Sequence, residues 1–226
     1  QAALSPALPN AFDVVNTNSW ARADLVLVPA GLSRTGGRVR DAAGRVVPSQ
    51  RLTTGELAVL VRDVPPLSAR RYTVAAGRWV APGAVAWSRA QPPGRSVPPM
   101  PLGTPYVLPG WPTVESDRLR LTVDTATGAI ASLVWRPRGA ELVDRRARHG
   151  LGEYLYVLGK DSSAARSVSG VRFGGTLAPP PLVAWQTSRA DAPGARSFTQ
   201  EIRVVAGLYR VDIVLRFDKL PVREKE

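Results

Sequence analysis

The sequence predicts an all-β protein. Short apolar runs rich in β-branched residues recur along the 226 residues, and Gly, Pro, Asp or Thr bound most of them. No apolar pattern of helical period persists for three turns. Hydrophobic residues make up 44% of the chain and charged residues 21%, which is typical of a protein that buries a core.

The first 90 residues predict a small antiparallel β-sandwich. We expect strands at 25–28, 57–61 and 71–75, because each run combines Val, Leu or Tyr with flanking turn residues. Within 39–47, the sequence Asp-Ala-Ala-Gly at 41–44 is typical of a hairpin turn between two short strands. The spacing of these strands suits two packed antiparallel sheets.

A proline-rich segment separates two predicted domains. Eight prolines lie within residues 91–112, a density that prevents a regular helix or a β-ladder. We therefore predict an extended, semi-rigid linker over 91–112, with a first domain over 1–90 and a second over 113–226.

The second domain is also predicted to consist of strands and hairpins. Leu119, Leu121 and Val123 alternate with polar residues, which indicates a half-buried strand. Residues 124–128 supply a turn, and 129–135 form the returning strand. Near the end, an alternating strand at 211–217 is expected to pair with 201–205 through Ala206 and Gly207.

The basic charge does not indicate a nucleic-acid-binding domain. The formal net charge is +12, but the arginines are scattered and only three lysines occur. The one dense arginine stretch, 136–148, is interrupted by Glu141 and Asp144 and has Trp135 as its only neighbouring aromatic residue. Nucleic-acid domains concentrate their charge on one element and interleave aromatic residues for stacking. We therefore expect no nucleic-acid partner.

No membrane segment or secretion signal is expected either. No apolar run reaches 18 residues, and residues 1–6 lack the basic and apolar regions of a signal peptide. The absence of cysteine permits a cytoplasmic location, which is our default expectation.

The residue inventory excludes several kinds of catalysis. Without cysteine there is no thiol nucleophile or disulfide, and the single histidine, His149, excludes a multi-histidine metal site in this chain. Glu141 and Asp144 are close enough in sequence to suggest the carboxyl pair of a glycosidase. We interpret them as surface charges paired with Arg145 or Arg146. The sequence therefore predicts no catalytic residue and no cofactor-binding or metal-binding residue.

Four stretches resemble the C-terminal β-region of glycoside hydrolase family 38, the α-mannosidases. In the first domain, the matching stretches are V-V-N-T-N-S-W-A-R-A-D at 14–24, V-P-S-Q at 47–50, and D-V-P-P-L at 63–67 followed by Tyr72. In the second, 115–133 is similar to the first hairpin of that family's large β-sheet domain. Ser68 stands where the family usually has glycine, and Asn18 where leucine is common.

This resemblance implies a fold and a role. The fold would be a small immunoglobulin-like β-sandwich followed by part of a mutarotase-like β-supersandwich. In the family, the catalytic zinc, its ligands and the nucleophilic aspartate belong to an N-terminal barrel followed by a helical bundle. The resemblance therefore implies a non-catalytic fragment of a retaining α-mannosidase, inactive alone, which buttresses that barrel and frames the carbohydrate site. Its partners would be the barrel and bundle of the same parent chain, and zinc would belong to the parent enzyme only.

The aromatic residues give one candidate for substrate binding. We predict that Tyr154 and Tyr156 alternate on one strand, so that their rings share a face. By resemblance, Tyr154 matches a tyrosine that reaches toward the sugar, and the alternative is a half-buried aromatic residue of the sheet. The six tryptophans are either packing residues or platforms for sugar rings. Trp20 fits a packing role, and Trp111 is expected to touch another domain.

Two other functions stay open at this point. One is a stand-alone carbohydrate-binding or adhesion-type β-protein. The other is a basic scaffold for polyanions, whose affinity would fall steeply with salt.

Overall fold

The computed structural model describes residues 10–52, 54–80, 86–88, 113–175 and 182–221, with the backbone alone at 86–88. The prediction of an all-β protein is confirmed: the elements within these ranges are antiparallel strands and three short 3-10 helices, at Ala30–Ser33, Arg136–Arg138 and Ser162–Ala164. No helix within the described ranges is long and apolar enough to cross a membrane.

The chain divides into two compact units. The first consists of Gln1–Ala84 with Pro180–Val183, and the second of Val85–Pro179 with Ala184–Glu226. The linker predicted over 91–112 lies outside the described residues. The strand at 86–88, which falls within the predicted first domain, pairs with a strand of the second unit.

The first unit is a sandwich of two antiparallel sheets. Its strands are β1 (Ala11–Asn16), β2 (Arg22–Val28), β3 (Arg38–Asp41), β4 (Val46–Val47), β5 (Ser49–Arg51), β6 (Leu57–Val64) and β7 (Ser68–Ala75). One sheet has the order β1-β7-β3-β4 and the other the order β2-β6-β5. Buried side chains from both sheets form one core: Val28, Val39, Val47, Leu57, Val59, Val61, Val64, Tyr72 and Val74. The three strands and the hairpin predicted here are all present.

The hairpin between β3 and β4 follows from turn chemistry. The Asp41 carboxylate accepts hydrogen bonds from the backbone N–H groups of Ala43 and Arg45, at 3.0 and 2.9 Å. Gly44 has a φ of +77°, in the left-handed region that glycine enters at little cost. The local sequence therefore fixes this reversal without help from the core.

The second unit contains two further antiparallel sheets. Its strands are β8 (Ala86–Ser88), β9 (Thr113–Glu115), β10 (Leu119–Val123), β11 (Ile130–Trp135), β12 (Ala140–Glu141), β13 (Ser169–Gly175), β14 (Val183–Asp191, whose first residue belongs to the first unit), β15 (Ala195–Val205) and β16 (Val211–Lys219). One sheet has the order β12-β11-β10-β9-β8 and the other the order β13-β14-β15-β16.

The alternation predicted for β10 is confirmed. Leu119, Leu121 and Val123 are buried, while Arg120 is exposed. The predicted pairing near the end of the chain is also present, with Val204 opposite Val211. β15 is longer than expected, since it begins at Ala195.

Candidate functional site

A buried asparagine organises one corner of the first unit. The Asn16 side-chain amide donates to the backbone carbonyls of Trp20, Val64 and Pro65 at 2.8, 2.9 and 3.0 Å. Its oxygen accepts the N–H of Asn18 at 3.0 Å. These bonds join the loop after β1 to the turn after β6. We call Asn16, Trp20, Val64, Pro65 and Leu67 the Asn16 corner.

The Asn16 corner presents apolar side chains to solvent. Trp20 is 62% exposed and Leu67 is 74% exposed. Both residues lie in loops that the buried Asn16 amide holds in place. Trp20 therefore does not pack in the core of this unit, and packing against another domain stays a prediction. Leu67 has a φ of +46°, and the Ser68 hydroxyl closes the turn by donating to the Pro65 carbonyl at 2.9 Å. Ser68 thus stabilises the turn at the position where family 38 glycoside hydrolases usually have glycine.

The V-P-S-Q stretch is buried in the same unit. The Ser49 hydroxyl donates to the Gly37 carbonyl at 2.6 Å. The Gln50 side-chain oxygen accepts the N–H of Val183 at 2.8 Å. Both residues are buried with their hydrogen bonds satisfied, so this stretch of the resemblance corresponds to structural contacts.

Tyr154 lies in the second unit, in a segment without regular strands. The prediction that Tyr154 and Tyr156 alternate on one strand is wrong: Tyr156 forms an isolated bridge with Arg166, and Tyr154 belongs to no strand. The Tyr154 ring packs 4.9 Å from the Phe198 ring, and its hydroxyl donates to the Pro193 carbonyl at 2.6 Å. The chain is irregular here, and Gly152 and Gly159 lie on either side of it with φ of +73° and +79°.

Glu141 is held as a carboxylate. Partial burial opposes its ionisation, but hydrogen bonds from the Ser132 hydroxyl, the backbone N–H groups of Leu133 and Val143, and Arg145 outweigh that effect and lower the pKa of Glu141 to about 2. The predicted ion pair with Arg145 is present at 2.9 Å. A general acid must carry a proton at working pH, so Glu141 is not suited to that role.

Asp144 and His149 line a polar hollow of about 550 Å³ in the second unit. The Asp144 carboxylate accepts the backbone N–H of Arg146 at 2.9 Å, which makes it a turn residue rather than an ion-pair partner of that arginine. His149 Nδ1 lies 3.5 Å from the Glu153 carboxylate. Thr122, Asp124, Ser132, Arg145 and Arg148 also line the hollow.

The polar hollow was not predicted from the sequence. Its residues come from β10, the β10–β11 turn, β11 and the segment 143–153, and only the pairing of these elements brings them together. The high density of charged residues within 141–153 was the one feature of the sequence that indicated a polar site there. Carboxylates, guanidinium groups and hydroxyls around one concavity are suited to binding a polar ligand. Tyr154 does not line this hollow.

The described residues do not fit a zinc site. Within these ranges, no group of three or more His, Asp or Glu side chains is close enough to hold a metal ion. His149 and Glu153 together supply fewer ligands than the four-coordinate geometry that zinc prefers in proteins.

A second concavity in the same unit is apolar. Its volume is about 520 Å³, and it lies between the two sheets. Its lining consists of Leu119, Ile130, Leu133, Trp135, Leu142, Leu151, Tyr209, Val211 and Ile213, and we call it the apolar groove. The Trp135 and Tyr209 rings meet edge to face at 6.0 Å. The Arg138 guanidinium lies 4.9 Å from the Trp135 ring, and the Arg118 guanidinium lies 5.1 Å from the Tyr209 ring. Surfaces of this kind are suited to contact with another protein element.

Among the described tryptophan side chains, only Trp20 is exposed. Arg78 lies 5.7 Å from the Trp79 ring, Trp135 belongs to the apolar groove, and Trp185 is half-buried on β14. The Trp87 side chain and all of Trp111 lie outside the described residues.

Comparison with protein-family models finds no match to this sequence, and comparison with curated proteins finds no similar sequence.

Proposed function

We propose that this chain is a non-catalytic β-region of an α-mannosidase-like glycoside hydrolase, which supports the catalytic barrel and borders its carbohydrate site. The observation that carries the proposal is the Asn16 corner. Its residues come from two of the stretches that resemble the family, at 14–24 and 63–67. A buried amide fixes both loops while Trp20 and Leu67 point outward, 62% and 74% exposed.

An exposed tryptophan on a rigid corner is suited to docking against another domain. Fixing the loops in advance lowers the conformational entropy lost on contact, and a buried tryptophan contributes a large apolar area. The apolar groove of the second unit supports the same role, because a cleft of about 520 Å³ with an apolar lining is suited to covering by protein. The low pKa of Glu141 is also consistent with a role other than catalysis.

The test is to read the coding sequence on both sides of Gln1 and Glu226. An upstream barrel that carries histidine and aspartate residues in zinc-ligand positions would support the proposal. A start codon at residue 1 together with a stop codon after residue 226 would overturn it. The isolated chain is expected not to hydrolyse a chromogenic α-mannoside, and measurable turnover would contradict the non-catalytic role.

Variants of the parent enzyme test the docking surface itself. Trp20→Ala and Leu67→Ala should lower kcat/KM or thermal stability, because both remove apolar contact with the barrel. Leu32→Ala is the matched control, since Leu32 is 52% exposed in the same unit but lies outside the Asn16 corner. Equal effects of all three variants would remove the corner from the proposal.

Tyr154 stays part of this proposal as a residue that frames the sugar site. Its ring is fixed by Phe198, and its hydroxyl is fixed by the Pro193 carbonyl, so its position is rigid. Tyr154→Phe in the parent enzyme keeps the ring and removes the hydroxyl. A loss of about tenfold in kcat/KM is expected if the hydroxyl binds substrate, and an unchanged value would dismiss the role.

The second candidate is a stand-alone carbohydrate-binding protein, which the polar hollow favours. Its carboxylates and arginines are the groups that hydrogen-bond sugar hydroxyls. Calorimetric titration with mannose and with mannan tests this function. Binding that Arg148→Ala abolishes would support it, with Arg172→Ala, on β13 outside the hollow, as the control. Absence of binding would remove it.

A further inference from the structure

Among the described residues, β16 (Val211–Lys219) has a hydrogen-bonded neighbouring strand on one side only. It pairs with β15 along its length, and it ends the sheet order β13-β14-β15-β16. Within the part of the chain that the structure describes, the outer side of this nine-residue strand presents backbone N–H and C=O groups without a neighbouring strand. Such an edge is a template for pairing with another strand.

The apolar side chains of β16 are also only partly covered. Ile213, Leu215 and Phe217 continue the face on which β15 carries its buried residues, yet they are 36%, 43% and 51% exposed. Proteins usually protect an edge strand with proline, lysine or an inward-pointing charge. β16 has apolar residues at its centre, and its one lysine, Lys219, is its last residue. The strand therefore lacks the usual protection at its centre.

The sequence of β16 is complementary to itself in one antiparallel register. When two copies pair about a two-fold axis perpendicular to the sheet, residues of the same face lie opposite each other. With Val214 opposite its own copy, Asp212 lies opposite Arg216, and Ile213 lies opposite Leu215. Within one chain Asp212 pairs with Arg210 at 2.6 Å and Arg216 pairs with Glu201 at 3.2 Å, so the contact between copies would extend these ion pairs. Opposite charges and apolar pairs across neighbouring strands are both stabilising.

The neighbouring registers lack this complementarity. Pairing centred on Leu215 would place Asp212 opposite Asp218 of the second copy. Pairing centred on Ile213 would place Arg210 opposite Arg216. Like charges directly opposite each other destabilise a strand pair. The charge pattern therefore selects the register centred on Val214.

We propose that β16 binds β16 of a second copy of this chain in antiparallel orientation, centred on Val214. The two four-stranded sheets would then form one continuous sheet across the two-fold axis. This pairing would use the open backbone edge, and it would bring Ile213 beside Leu215 and Phe217 beside Val211 of the second copy. The proposal concerns the 226-residue chain by itself and is separate from the proposed function, in which the parent chain would supply further strands of the same domain.

Sedimentation equilibrium of the full chain at physiological salt tests the proposal. The wild-type protein should show a concentration-dependent mass that approaches twice the 24.2 kDa of one chain. Asp212→Arg places arginine opposite Arg216 at both symmetric positions. It should weaken the dimer by about tenfold or more, since two attractive pairs become repulsive.

The charge-reversed double variant tests the pairing, and circular dichroism checks that each variant keeps its β-structure, because Asp212 pairs with Arg210 and Arg216 with Glu201 in the same chain. Asp212→Arg combined with Arg216→Asp restores opposite charges across the two-fold axis, and it should restore the dimer. Arg172→Asp is the control, because Arg172 is an exposed residue of β13 at the other edge of the same sheet. It should leave the dimer unchanged. A wild-type chain that stays monomeric, or a double variant no more dimeric than Asp212→Arg, would overturn the proposal.

Discussion

Two polar side chains illustrate how single residues stabilise this protein. Asn16 is 5% exposed, and its amide donates hydrogen bonds to backbone carbonyl groups on two loops. These carbonyl groups have no partner in a β-ladder of the described strands. Glu141 joins β11 to the segment that follows β12, because its donors lie on both. Each side chain replaces backbone ladder bonds where the chain leaves a sheet.

Replacing Asn16 tests the first of these roles. Asn16→Ala leaves one buried and two partly buried carbonyl groups without this donor, and we expect it to lower the free energy of unfolding by about 2 kcal/mol. Urea denaturation followed by tryptophan fluorescence measures the change. Ser19→Ala is the matched control, since Ser19 is an exposed residue of the same loop. A loss below about 0.5 kcal/mol for Asn16→Ala would contradict the role.

The low pKa of Glu141 implies that the free energy of unfolding depends on pH. Its pKa is about 2 in the folded chain against 4.5 ordinarily, so the carboxylate stabilises the fold above pH 4.5, and this contribution is lost as the pH falls toward 2. Because water screens this exposed group, we expect about 1 kcal/mol rather than the full value of the shift. Urea denaturation at about pH 7 and about pH 3 should show a smaller loss for Glu141→Gln than for the wild type.

Arg145→Met provides the control for that measurement. It removes one donor to Glu141 and leaves those of Ser132, Leu133 and Val143 in place. Its pH dependence should therefore lie between those of the wild type and Glu141→Gln. Identical curves for all three proteins would show that Glu141 does not stabilise the fold.

At the scale of elements, the segment 152–161 is irregular although its sequence alternates as a strand does. Tyr154 and Tyr156 alternate as strand residues do, and their sequence therefore predicts a strand. The chain instead packs each ring separately, Tyr154 against Phe198 and Tyr156 beside Gly194 in the β14–β15 turn. Tertiary contacts of the rings determine the course of this segment.

Gly194 is the residue whose replacement tests this packing. It has a φ of +76°, and a Cβ atom added there would clash with the Tyr156 ring. We expect Gly194→Ala to lower the free energy of unfolding by about 2 kcal/mol or more. Gly139→Ala is the control: Gly139 also has a positive φ of +62°, but no atom lies within 4 Å of the added Cβ. It should cost about 1 kcal/mol, and equal losses would show that the ring does not constrain the turn.

At the scale of the whole molecule, uncovered apolar surface is the main feature. The first unit exposes Trp20 and Leu67 at the Asn16 corner, and the second exposes Leu142 and Leu151 at the apolar groove. Single exposed apolar residues are normal, but a continuous apolar groove marks a surface that another element covers. Both units therefore have surfaces suited to further protein contact.

A fluorescent apolar dye measures the open groove directly. The native chain should bind the dye, and Leu142→Glu should lower the fluorescence by roughly half, because it places a charge in the groove. Leu142 is 56% exposed, so the variant should fold normally. Leu32→Glu is the matched control, since Leu32 is 52% exposed in the first unit. Equal effects of the two variants would show that the groove is not the binding surface.

The class of fold and the local reversals of the chain are predictable from the amino-acid sequence. Alternation in β10 is visible because its period of two places Leu119 and Leu121 on one buried face. The hairpin after β3 is visible because Asp41 and Gly44 act within their own turn. The ion pair of Glu141 with Arg145 was also predictable, since the two residues are four apart in sequence. These features depend on neighbours in the chain.

The positions of the exposed surfaces and hollows depend on tertiary contacts. The polar hollow joins residues of β10 with the segment 143–153, and the exposure of Trp20 depends on a buried amide that also binds Val64. The open face of β16 has the same alternation as β10, yet β10 is covered and β16 is exposed. Periodicity reports which side chains share a face. Whether that face is covered depends on elements distant in sequence, and a local pattern does not contain them.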